Sequence, residues 1–71
     1  MFDEEIEYIV EIWNRCKKKE KVSKKEIIKA MEIFTSCCLA DKSFKRQFDA
    51  KTSPAFHRKV MIDLEEYLNT M

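Results

Sequence analysis

Apolar residues recur along this chain at helical spacing. Over residues 2–16, Phe2, Ile6, Ile9, Val10, Trp13 and Cys16 fall on one face of a 3.6-residue period, and Tyr8 and Ile12 widen the stripe on one side. The pattern predicts a helix capped by Asp3 and ending near residue 18, with an oily flank at Tyr8 and Ile12. The second helix carries three independent start signals. Ser23 can cap the amide of Glu26, Glu26 can reach back to Ser23, and Val22 can staple onto Ile27. The residues that follow, Ile27, Ile28, Ala30, Met31, Ile33, Phe34, Thr35, Cys37, Cys38 and Leu39, cover roughly 240° of the helical wheel, where an ordinary surface helix needs roughly 100°. A helix over 24–40 with so wide an apolar surface is the central element of the fold, or lends part of its face to another chain.

A short third helix is predicted over residues 43–50, with Phe44 and Phe48 inward. Ser53-Pro54 then supplies a cap followed by proline at the first helical position, where a missing amide costs nothing. The last helix runs to residue 69, with Phe56, Val60, Leu64, Tyr67, Leu68 and Met71 as its buried stripe and Ile62 alone on the opposite side. The link between the first two helices is short, so they pair antiparallel, bringing Trp13 beside Ile28 and Phe2 beside Leu39. The third helix either crosses the end of that hairpin, separating the two basic blocks of the chain, or returns along it and gathers them at one pole. The expected architecture is all-α, a single domain over residues 1–71: a small four-helix bundle with a short third helix and a central second helix.

Charge follows the same blocks. Residues 1–14 hold five acids and no base, residues 15–29 eight bases and two acids, and residues 42–59 six bases and one acid. Acids favour the start of a helix and bases its end. The segments opening at Ser23 and Ser53 run against that rule, beginning with Lys24 and Lys25 or with Arg58 and Lys59, and the second ends with Glu65 and Glu66. Charge that local stability does not require points to a partner.

The chain has 71 residues and no glycine, which fits a helical module and argues against a phosphate-cradling loop. Its longest weakly polar run, residues 33–40, is eight residues, whereas a membrane span needs about 20. The acidic opening does not resemble an export signal, so a reducing, cytoplasmic setting is expected. Cys16, Cys37 and Cys38 are read as small core residues in that setting. Adjacent Cys37 and Cys38 diverge by about 100° on a helix and are poorly placed to bridge each other.

No nucleophile with a base, no carboxylate pair in a cleft and no metal-ligand spacing stands out, so neither an enzyme nor a cofactor is expected. His57, the single histidine, falls at the edge of the last helix's apolar face and is read as structural. The leading functional reading is a small non-enzymatic regulator or inhibitor that binds a protein, or itself, through an apolar patch flanked by lysines: Tyr8, Ile12, Lys17, Lys18, Lys21 and Lys25. The alternative is a helix-turn-helix-like regulator, with Ser43, Arg46 and Gln47 reading base edges and Lys42 and Lys45 holding phosphates. The lysine- and isoleucine-rich composition fits an origin in a phage or mobile element.

Overall fold

In a computed structural model, which describes residues 2–52 and 56–70, the chain forms four helices: α1 (Asp3–Lys17), α2 (Lys24–Ala40), α3 (Phe44–Lys51) and α4 (Phe56–Asn69). The start of α2 is built as its sequence predicts. The Ser23 hydroxyl accepts from the Glu26 amide at 3.2 Å, and a Glu26 carboxylate oxygen accepts from the Ser23 amide at 3.2 Å. Val22 and Ile27 both enter the core. The start of α1 differs from expectation: Phe2 occupies the cap position without a side-chain cap, and Asp3 is already helical. Asp3 instead accepts an ion pair from Lys51 at 2.7 Å, which holds its carboxyl below the usual range.

The end of α1 had no glycine to mark it. Lys19 takes the left-handed conformation at φ 59°, its amide donates to the Cys16 carbonyl, and the Glu20 amide donates to the Arg15 carbonyl at 2.9 Å. That is a Schellman ending with lysine at the position glycine usually fills. Arg15 then ties the turn to α2, donating to Glu26 at 2.9 Å and to the Lys21 carbonyl at 2.8 Å. The two helices are thereby fixed as an antiparallel hairpin.

The third helix crosses the open end of the hairpin. Phe44 meets Phe2 edge-on with ring centroids 5.2 Å apart, and Lys51 reaches Asp3. The basic blocks are therefore separated, as in the first of the two arrangements considered. From there α4 returns antiparallel to α2 and packs against α1 as well. Phe56 meets Trp13 at 4.8 Å, and Trp13 Nε1 donates to Asp63 at 2.8 Å. At the centre Phe34, Phe44 and Phe48 pack edge-to-face at 5.5–6.1 Å, the geometry aromatic quadrupoles favour. The radius of gyration, 11.4 Å, is close to the roughly 11 Å of a compact chain this long.

Several expected neighbours are displaced. Trp13 packs on α4, and Ile28 is left 37% exposed; Leu39, expected beside Phe2, is 85% exposed. Trp13 is drawn to α4, and α3 takes the place beside Phe2 that Leu39 was expected to fill. Val60 and Leu64 are buried and Ile62 is exposed, as the α4 periodicity predicts. The proposed cap at Ser53-Pro54 and the burial of Met71 lie outside the described residues.

Candidate interaction surface

Tyr8 and Ile12 do not form an exposed flank. Ile12 is 1% exposed and belongs to the core, and Tyr8 is half-buried. On the Tyr8 side α2 covers the stripe, with Lys29 Nζ 5.5 Å from the Tyr8 ring, and α4 covers the Trp13 side. With neighbours on both sides, α1 needs an apolar surface wider than one stripe, and Ile12 supplies it. Lys17, Lys18, Lys21 and Lys25 are exposed. Lys17 lies over Trp13, Nζ 4.2 Å from the ring centroid, a cation–π contact that covers one face of the indole. Lys18 and Lys21 stay at the hairpin turn, and Lys18 lines a depression along α1 with Val10, Glu7 and Glu11.

The exposed apolar surface lies on α2 and α4. Ile28 and Leu39 are 11 residues apart, close to three helical turns, so they share one face of α2 with Thr35 between them. Beside that line, Ile28, Met31, Thr35 and Leu68 surround a shallow hollow of ≈ 370 Å³ in the seam between α2 and α4. Lys24 and Lys25 stand at the Ile28 end. The α2 wheel sets Ile33 and Leu39 at the margin of its apolar surface; Leu39 stays open while Ile33 packs partly against the core, and the exposure of Ile28 depended on where α4 docks. On the far side of α4, Ile62 is 56% exposed. A hollow of ≈ 380 Å³ lies beside it, lined by Phe34, Lys45, His57, Arg58, Met61 and Ile62.

His57 is anchored to α3. Its Nδ1 lies 2.8 and 2.9 Å from the two Asp49 carboxylate oxygens, its amide donates to Asp49 at 2.9 Å, and its ring stacks on Phe34. One carboxylate thus pins the start of α4 to α3. Of the cysteines, Cys37 is buried in the core, and Cys16 and Cys38, partly buried, pack against it. Burial pushes each thiol above its ordinary range. Among the described residues no cluster of three or more His, Cys, Asp or Glu side chains could hold a metal ion. Among them too, no helix is long and apolar enough to cross a membrane.

The residues of the nucleic-acid reading are partly engaged. Asp41 accepts from the Ser43 amide at 2.8 Å and from its hydroxyl at 2.7 Å, and Gln47 Nε2 donates to Ser43 Oγ at 2.8 Å. These bonds hold the Asp41 carboxyl below its usual range and organise the start of α3. Ser43 and Gln47 are therefore used locally, while Lys42, Lys45 and Arg46 remain exposed. Compared with protein-family models, curated proteins and solved structures, the chain matches none.

Proposed function

We propose that the protein is a non-enzymatic binding module, a small regulator or inhibitor that acts by protein–protein contact through the outer face of α2. The observation that carries this reading is the exposure of Leu39 (85%) and Ile28 (37%) on one face of the helix that also forms the centre of the bundle. Met31 and Leu68 extend the apolar area into the seam, and Lys24 and Lys25 border it. Apolar contact would supply lasting affinity and the lysines would steer encounter with an acidic rim on the partner. Of the lysines first considered, Lys25 keeps its place in the site. A reducing compartment suits three unpaired cysteines.

The test compares the wild-type chain with an Ile28→Ser/Leu39→Ser variant, both immobilised and exposed to the same source lysate. Both side chains already meet solvent, so circular dichroism should show an unchanged fold. A protein retained by the wild type and lost from the variant supports the reading. An identical bound set on the two overturns it.

A further inference from the structure

The outward face of α4 carries a sequence that is complementary to itself when reversed. In Arg58-Lys59-Val60-Met61-Ile62-Asp63-Leu64-Glu65-Glu66, Ile62 is the midpoint, two bases stand three and four residues before it, and two acids stand three and four residues after it. Val60 and Leu64 point into the core, both fully buried, while Arg58, Lys59, Ile62, Glu65 and Glu66 are exposed. Among the described residues none of these four charges has an ion pair within the chain. An isoleucine 56% exposed thus sits alone at the centre of an otherwise charged face.

Helical geometry decides how two such faces could meet. Arg58 and Glu65 are seven residues apart and so lie on one flank of Ile62; Lys59 and Glu66, also seven apart, lie on the other. A two-fold axis through Ile62, perpendicular to the helix, turns α4 antiparallel to its copy and keeps each flank on its own side. Arg58 of one chain then faces Glu65 of the other, and Lys59 faces Glu66, each pair offset along the axis by only about 1.5 Å. Ile62 meets Ile62. A parallel pairing would set base against base and acid against acid.

The same arrangement accounts for charges that α4 by itself disfavours. Its first turn has no acid and its last turn no base, the reverse of what the helix dipole rewards. In an antiparallel pair, the basic start of one helix lies near the carbonyl-rich end of its neighbour, where positive charge is favoured. We infer that α4 is a self-association surface: the protein forms a two-fold symmetric homodimer in which the α4 helices pair antiparallel about Ile62. This inference does not depend on the α2 face.

A contact along one 14-residue helix is small, so the dimer should be reversible, with a dissociation constant of about 1–100 μM. Sedimentation velocity of the full chain over a concentration series tests it. Ile62→Asp should abolish association. Arg58→Glu/Lys59→Glu and, separately, Glu65→Lys/Glu66→Lys should each weaken it by roughly tenfold or more. The quadruple variant combining both reversals restores the complementarity with inverted sign, and should dimerise again to within about threefold of wild type. The Arg58→Glu/Lys59→Glu chain should also melt higher than wild type measured as monomer, because its acids now suit the start of the helix. Losing association while gaining stability separates a contact role from a folding role. The inference is overturned by a wild-type chain that stays monomeric up to about 1 mM, by a dimer indifferent to Ile62→Asp, or by a quadruple variant that remains monomeric.

Discussion

Trp13 shows how one side chain can join two elements and still be misplaced by sequence reasoning. Its position on the α1 stripe announces burial, and it is 5% exposed. Its partner was not announced. Asp63 stands among the polar residues of α4 and becomes the acceptor for the indole N–H only because α4 packs on α1. Removing that acceptor leaves a partly buried donor unpaired, so Asp63→Ala should lower unfolding free energy by about 1–2 kcal/mol, and Asp63→Asn should recover most of the loss. Urea titration followed by Trp13 fluorescence reads both; equal stability of all three chains would show that water serves the indole as well. Ile12 failed as a surface residue for the same reason. A stripe judged against one neighbour looks too wide, and the second neighbour is a tertiary fact that periodicity along α1 does not contain.

Among the elements, α2 was legible almost to the residue, because its start is specified by three local devices within the six positions from Val22 to Ile27. The end of α1 was less so: a lysine at positive φ leaves no compositional mark, and the stop became visible only through its carbonyl acceptors. The capping box also links the fold to pH. Hydrogen bonds from the Ser23 amide and hydroxyl, with Arg15 adding to them, hold the Glu26 carboxyl below its ordinary 4.5. A depressed folded value means that the ionised form is favoured by folding, so its stabilisation is complete above about pH 5 and is lost as pH falls through the folded value. Asp3 and Asp41 shift in the same direction and add to the acid sensitivity. Ser23→Ala should cost about 1 kcal/mol at neutral pH. The gap between variant and wild type should narrow as pH falls below about 4.5, since protonated Glu26 no longer rewards the box. Urea midpoints from neutral to acid pH check this, and a gap that stays constant would show that Glu26 plays no part in the cap.

At the scale of the whole molecule, the position of α3 sets where the exposed bases stand. It crosses the open end of the hairpin, so Lys42, Lys45, Arg46 and Lys51 lie at one end and the lysines around the α1–α2 turn at the other. A depression of ≈ 850 Å³ runs along α1 between the two poles, and Glu7 and Glu11 line it together with Lys51 and Lys18. A nucleic-acid backbone laid across the poles would meet acids midway. Two of the bases are also partly neutralised within the chain, Lys51 by Asp3 and Arg15 by Glu26. With Ser43 and Gln47 tied into the start of α3, few groups remain to read bases, and those left for phosphates do not form one track. Phosphate contacts reveal themselves through salt dependence, each neutralised phosphate steepening the loss of affinity as salt rises. A labelled duplex titrated with the protein should therefore show no saturable binding at about 150 mM salt, and at about 50 mM only weak binding with a shallow salt slope. Lys45→Glu/Arg46→Glu should leave that residue of binding nearly unchanged. Saturable binding at the higher salt, abolished by that double reversal, would instead make α3 a recognition helix and move the functional surface from α2 to the end of the bundle.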